Sequence, residues 1–475
     1  MLLALAIVVF TLVVLAALEQ RRLHRLGKGI PGPKWVPPFI GNLIPLGRDG
    51  HKFVSEAFAR GRVSWDSLLG RFALFVNDAT VFKTVMKAQG GDFTISLTAA
   101  DSSLFGKTLM LLGGAEHAFL RKTLISVFSR KRLTSYLPTM ESNIRKHLRL
   151  WIRECERNNG SGTIRVQSRA RDMVFDFLMN AFLGSDYDHH IRWRENYYAL
   201  IKGIQAFPLN FPGTTFWRAL KARKVLIRDM TPIVQASIER AREGRKLYSF
   251  TDYWIQSLIE KSEGQLEDSD IKRIVIDHQV SFLLGGLDTT VSTLTAFFGL
   301  MSAHPDVLAR MHSEQIQLRP NDSPITTEIL NQMTYTTQVM REILRFENPL
   351  FCLGLKAKRD CKINGIFISK DTWVVPNLRH VLFDDGFSEP HKFDPDRFGP
   401  ERREHIRNVK HYIPFGVGAH RCVGKNIAEL SVLLTSAIAS GMADWRRIET
   451  DKSYKMIFDA TIVPADGCVI SIKKK

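Results

Sequence analysis

The chain has 475 residues, 45% of them hydrophobic and evenly spread, so its length allows several domains but also suits one large core. A formal charge of +18 fits nucleic acid, anionic lipid or an acidic protein partner, yet no nucleic-acid motif accompanies the scattered Lys and Arg, and no nucleic acid is expected. Five cysteines (Cys155, Cys352, Cys361, Cys422, Cys468) form no CxxC pair, which argues against a disulfide framework and a structural zinc site.

Met1 to Leu18 contains no charged side chain, and as a helix it is about 27 Å long, close to the thickness of an endoplasmic-reticulum bilayer. Arg21, Arg22, Arg25 and Lys28 follow it and no basic residue precedes it. The positive-inside rule then leaves the body of the protein in the cytosol, and a cleaved signal peptide is disfavoured. The expected organisation is a single-pass transmembrane anchor over 1–18, a basic and proline-rich connector over 19–47 containing "IPGPKWVPPFIGN", and a catalytic body over 48–475.

Beyond the connector the period is mostly helical. Leu137 to Cys155 and His278 to Met301 are long helix candidates, and Cys361 to Val375 reads as a hairpin turning at Asn364-Gly365. The fold class expected is mainly α with a small β portion.

"PFGVGAHRCVGKNIAEL" (Pro414 to Leu430) fits F-x-x-G-x-[HR]-x-C-x-G through Phe415, Gly418, His420, Cys422 and Gly424. A chance match in a chain of this length is on the order of one in ten thousand. By residue type Cys422 is open to five readings: buried thiol, disulfide half, zinc ligand, nucleophile or haem ligand. Its place just ahead of the helix candidate Val423 to Met442 offers a thiolate free N–H groups and the helix dipole. Gly418 and Gly424 allow a tight turn and close approach of a ligand.

Three other stretches carry chemistry in order along the chain. "GAEHAFLRKTLISVFS" sets His117 and Arg121 at i,i+4, "GGLDTT" puts Asp288 beside Thr289 in mid-helix, and Glu342 pairs with Arg345 at i,i+3 ahead of Arg397 in "FDPDRF". Each alone has a bland reading as a solvated helix face or a satisfied polar patch.

In this order and spacing the four stretches resemble the cytochrome P-450 family of haem-thiolate monooxygenases. The resemblance implies the P-450 fold and haem b (iron protoporphyrin IX), with Cys422 as the iron ligand. A thiolate ligand pushes electron density toward O–O cleavage. Phe415 shields the sulfur, Gly424 lets the porphyrin approach, and His117, Arg121 and His420 reach the propionates. Asp288 and Thr289 are the catalytic acid–alcohol pair that delivers protons during dioxygen activation. Glu342, Arg345 and Arg397 form a buried structural network. The co-substrate is O2, and NADPH serves indirectly through an NADPH-cytochrome P-450 reductase, because the chain has no Rossmann fingerprint of its own. Lys122, Arg130, Lys131, Arg421 and Lys425 are candidates for the reductase-facing surface.

Within the family, "IPGPKWVPPFIGN", Asn196 to Lys224, Asp252 to Ile259 and Thr461 to Val469 are similar to the sterol C-22 desaturases, a membrane-bound branch. That branch carries D-A-[ST] in the distal helix, whereas this chain has Asp288-Thr289-Thr290, the ordinary hydroxylase form. The implied substrate is a hydrophobic small molecule, a sterol first, with fatty-acid or xenobiotic hydroxylation as the alternative. Phe207, Phe211, Leu284, Leu350, Phe351 and Leu353 are the candidate apolar contacts. A reductase-independent haem-thiolate isomerase has no use for Asp288-Thr289, and a haem sensor has no use for a membrane anchor beside the apolar "FPLNFPG".

Overall fold

The apolar N-terminus forms a helix, α1 (Leu2–Leu26), that does not end where the charges begin. It continues for two turns through Arg21, Arg22, His24 and Arg25, because no glycine or proline interrupts it before Gly27. In this computed structural model residues 2–68, 70–95, 101–157, 162–184, 190–204, 206–453, 455–459 and 461–475 are described, so Met1 of the expected anchor and Gln205 of the Asn196 to Lys224 stretch lie outside.

The chain divides into two compact units. The first comprises Met1–Leu97, Leu350–Gly386 and Gly416–His420, so the anchor and connector belong to it. Its centre is a five-stranded sheet in the order Val63–Leu68, Arg71–Val76, Trp373–Pro376, Leu355–Ala357, Phe93–Ile95. Arg71–Val76 runs parallel to Trp373–Pro376 and the other pairs are antiparallel. A two-stranded hairpin, Cys361–Ile363 with Ile366–Ile368, turns at Asn364 and Gly365, both with positive φ, as a two-residue turn between right-twisted strands requires.

The second unit, Thr98–Pro349, Phe387–Phe415 and Arg421–Lys475, is mainly helical. The helices that carry the site are α2 (Gly114–Val127), α3 (Leu137–Glu156), α4 (Val166–Leu183), α5 (His190–Ile204), α6 (Thr215–Arg242), α7 (Asp268–Ala303), α8 (Thr334–Phe346) and α9 (Lys425–Met442). Two small antiparallel sheets complete it: Met456–Asp459 with Thr461–Pro464, and Ile164–Arg165, Val469–Lys474, Ala443–Arg447.

α7 is the axis of this unit. After a charged start through Asp268, Asp270, Lys272, Arg273 and Asp277 it is mostly apolar and largely buried, the pattern of a core helix, although its length and composition also suit a membrane span. Its mid-helix alcohols are compatible with the helix because Thr289, Thr293 and Thr295 donate to carbonyls four residues back. His278 fixes its near end: Nδ1–H donates to the Ile274 carbonyl (2.7 Å) and Nε2 accepts from the Leu109 N–H (2.9 Å). Trp254 and Phe282 pack edge-on against the same ring.

Candidate functional site

The two ends of the cysteine loop, Phe415 and Cys422, are tied together within the second unit. The Cys422 N–H donates to the Phe415 carbonyl (3.0 Å), and Asn348 Nδ2 donates to the Pro414 carbonyl (3.1 Å), tying the loop to the chain just after α8. Gly424 caps α9, and a Cβ there would lie 3.9 Å from the Cys422 sulfur, so the position keeps the space beside the sulfur clear. The cysteine is accessible to solvent, and burial of the sulfur pushes its thiol pKa up. The Gly424 N–H and the Arg121 and Lys425 charges act the other way and favour the thiolate. Lys425 also stands 5.9 Å from the centre of the Phe415 ring.

α2 brings His117 and Arg121 to one face. His117 is buried, and burial followed by the Arg121 charge holds its pKa below the usual histidine range, so it is neutral at pH 7. Burial and then Arg421 lower the Arg121 pKa, with Cys422 opposing. Gly416–His420 belongs to the first unit, where Gly418 (φ +83) packs against the Met86 carbonyl and His420 lies against Gly90.

On α7, Asp288 is nearly fully buried and is held by Arg171 of α4, whose Nη2 and Nε donate to the same carboxylate oxygen at 2.9 and 3.1 Å. Tyr197 of α5 donates to the Leu283 carbonyl (3.1 Å), and its hydroxyl pKa stands well above the tyrosine range through burial and then the Asp288 charge. Thr461 donates at 3.4 Å to the Asp288 carbonyl, so the strand Thr461–Pro464 meets α7 beside the acid. Thr289 presents its hydroxyl one position on, donating to the Gly285 carbonyl at 2.7 Å, and a Cβ at Gly285 would meet open space.

Glu342, Arg345 and Arg397 meet with all three side chains fully buried. Arg345 donates to both carboxylate oxygens of Glu342 (2.8 Å each), Arg397 Nε adds a third bond (3.0 Å) and the Asp394 N–H a fourth (2.9 Å). Arg397 also pairs with Glu404 (3.1 Å), which balances two cations with two carboxylates. Their remaining N–H groups are taken by the carbonyls of Pro390, Ser388 and Lys392.

Sequence reasoning missed Arg171 and Glu404. Arg171 lies 117 residues from its partner in "SRARDMVFDF", with no local signal, whereas Glu404 lies seven residues after Arg397 and a search for a compensating carboxylate could have found it. The apolar candidates differ in exposure. Phe207 and Phe211 are 69% and 66% exposed on the loop between α5 and α6, and Leu350 is 37% exposed. Phe351 is buried in the first unit against His51 and Phe58, a core position. Leu284 on α7 and Leu353 are half-buried. Lys122, Arg130, Lys131, Arg421 and Lys425 are all exposed on the second unit.

Among the described residues no group of three or more His, Cys, Asp or Glu is placed to hold a metal ion. A single cysteine sulfur beside Gly424, with an Arg and a neutral His on one helix face, fits a haem iron.

Comparison with known proteins is consistent with that chemistry. The family model described as Cytochrome P450 matches residues 30–438. The chain is 33% identical to "Probable cytochrome P450 524A1" of Dictyostelium discoideum over 99% of this chain and 88% of that protein. It is 26% identical to "C-22 sterol desaturase ERG5A" of Gibberella zeae over 98% of this chain and 91% of that protein. Among solved structures, "Retinoic acid bound cyanobacterial CYP120A1" superposes with a TM-score of 0.81 at 23% identity, covering 94% of this chain and 99% of the other, a likeness of fold alone.

Proposed function

The chain belongs to the cytochrome P450 family of haem-dependent monooxygenases, and from that premise we propose that it oxidises the side chain of a sterol, introducing the C-22 double bond. The observation that carries this reading is near-full-length similarity to a protein named as a C-22 sterol desaturase. The N-terminal helix, exposed along its apolar part, supports delivery from a membrane, and the basic residues after it support an endoplasmic-reticulum anchor with the body in the cytosol.

Bound haem supplies dioxygen activation and hydrogen abstraction from the substrate. Cys422 is assigned as its ligand, with the Gly424 N–H, Arg121 and Lys425 stabilising the thiolate. His117 and Arg121 are assigned to the propionates, to which a neutral His and a cationic Arg donate hydrogen bonds. His420 is assigned to the same role from the sequence motif alone. Asp288 holds a proton-accepting carboxylate inside the protein, and Arg171 sets where that carboxylate points. Thr289 offers the adjoining hydroxyl, whose own proton is held by the Gly285 carbonyl, so its lone pairs are free to accept. Electrons come from NADPH through a separate reductase, for which the five exposed cations around α2 and the start of α9 are the assigned docking face.

Sterol hydroxylation is the second reading, favoured by Thr289 at the position after Asp288. Reconstitution with a reductase, NADPH and a sterol with a saturated side chain, followed by mass spectrometry, separates the two. A product lighter by two hydrogens supports desaturation, a product heavier by one oxygen supports hydroxylation, and no turnover of any sterol overturns the substrate class.

A further inference from the structure

α1 has two kinds of surroundings. From Leu3 to Leu18 nearly every side chain is exposed, and from Glu19 onward the helix is held against the sheet unit. Glu19 accepts the Phe39 N–H (2.7 Å), and Gln20 both donates to the Val36 carbonyl (2.6 Å) and accepts from the Val36 N–H (3.4 Å). Arg22 donates to the Gly70 carbonyl (2.6 Å), Leu23 is buried, and His24 Nε2–H donates to the Lys34 carbonyl (3.2 Å). The His24 ring meets the buried Trp65 indole edge-on at 5.2 Å. Gly27 and Gly32 press against the same indole so closely that a Cβ at either would stand 2.3 or 2.2 Å from its nitrogen.

The chain after α1 therefore folds back along it instead of extending away as a spacer. This return segment is itself pinned to the sheet: the Trp65 N–H donates to the Pro31 carbonyl, the Asn42 N–H to the Ser67 carbonyl, and Asn42 Nδ2 to Asp66 Oδ1 (2.7 Å). It carries four large apolar side chains in the open: Trp35 (63% exposed), Phe39 (49%), Ile40 (43%) and Ile44 (55%). Phe39 has φ +65, a costly conformation for a bulky residue, and the Glu19 carboxylate accepts the N–H of that residue. Glu19 is the first charged residue of the chain, so Phe39 sits level with the end of the apolar span. Arg21, Arg25, Lys28 and Lys34, all exposed, follow on the same stretch.

We propose that α1 is a rigid strut whose last two turns are fixed to the sheet unit, and that the segment Trp35–Ile44 rests in the acyl–headgroup boundary of the bilayer that residues 2–18 cross. The occupant is lipid because the patch begins where a bilayer-length apolar helix ends, carries Trp35 and Phe39 in the open, and is flanked by cations suited to phosphates. This inference rests on the reading of residues 2–18 as a membrane span. Its consequence is that the span sets the depth and tilt of the sheet unit.

The test is hydrogen exchange on the full chain in phosphatidylcholine nanodiscs and on a form lacking residues 2–18 in buffer. Exchange over 35–44 is expected to be about tenfold slower in nanodiscs. Brominated lipids are expected to quench a fluorescence component that Trp35→Phe removes. Glu19→Ala with Gln20→Ala, and separately a Gly-Gly-Ser insert between Leu18 and Glu19, must stay in the membrane yet lose both signals. A full chain that is embedded but exchanges over 35–44 at the truncated form's rate overturns the strut, as does protection that survives both variants. Protection that rises with protein concentration instead of with lipid assigns the patch to a second copy and overturns the lipid. A full chain that washes from the membrane at alkaline pH overturns the anchor reading itself.

Discussion

Arg171 grips one oxygen of Asp288 with two N–H groups, joining α4 to the middle of α7 across 117 residues of sequence. Asp288 is only 4% exposed at its side chain, while Arg171 is 24% exposed, so the pair runs from the interior toward solvent. A carboxylate so buried needs a counter-charge to stay ionised.

Removing that counter-charge has a measurable cost. Arg171→Ala should destabilise the protein by roughly 2–4 kcal/mol, below the figure for a fully buried pair because Arg171 is partly exposed. Asp288→Asn should cost less, since the charge it leaves without its counter-ion, Arg171, reaches toward solvent. Denaturant melts of both single variants and the double variant check this: strong coupling is expected, and additive losses would mean that the pair contributes nothing.

Thr289→Ala should leave haem content and substrate-induced spectral shifts intact. Product should fall by about tenfold or more while peroxide released per NADPH oxidised rises, because the hydroxyl next to the buried acid is lost and nothing else moves. Product loss with a flat peroxide yield contradicts the assigned role.

Glu342 accepts four hydrogen bonds from three partners, and its neutral isostere can accept fewer while presenting an NH2 to two guanidinium groups. Glu342→Gln should therefore cost about 3–5 kcal/mol and lower haem retention after mild denaturation. Glu404→Gln, at the less buried edge and also served by Arg402, should cost less. Equal losses in the two variants would show that the network is not centred on Glu342.

Acid stability should carry the signature of His278. Burial pushes its pKa down to about 4, against an ordinary value of 6.5, with its hydrogen bond to the Ile274 carbonyl opposing. The unfolded chain binds the proton first as pH falls, so stability is full above about pH 6.5 and is lost between about 6.5 and 4. The contribution is on the order of 3 kcal/mol. Stability curves of the wild type and His278→Phe between pH 4 and 7 test this, with a flatter slope expected for the variant. Parallel curves would assign the acid sensitivity elsewhere.

The features legible in sequence were those built from near neighbours. Cys422 with its glycines, Asp288 with Thr289, and Glu342 with Arg345 each lie within one turn or loop, so their spacing alone places them together. The partners that complete these groups were hidden because tertiary packing supplies them: Arg171 comes from another helix, and Glu404 opens the short helix Glu404–Arg407 that follows the 3-10 turn holding Arg397. The length of α1 was underestimated for a related reason. Charge marks where an apolar span ends, but a helix ends only where its backbone is broken, at Gly27. Apolar character also could not tell surface from core: Phe211 is exposed and Phe351 is buried.

The most direct measurement is the absorption spectrum of the reduced protein under carbon monoxide, taken for the wild type and for Cys422→Ala. Thiolate ligation by Cys422 predicts a strongly red-shifted Soret band in the wild type and its loss, together with turnover, in the variant. The same red-shifted band in both proteins would contradict the assignment of Cys422 and with it the site built around that residue.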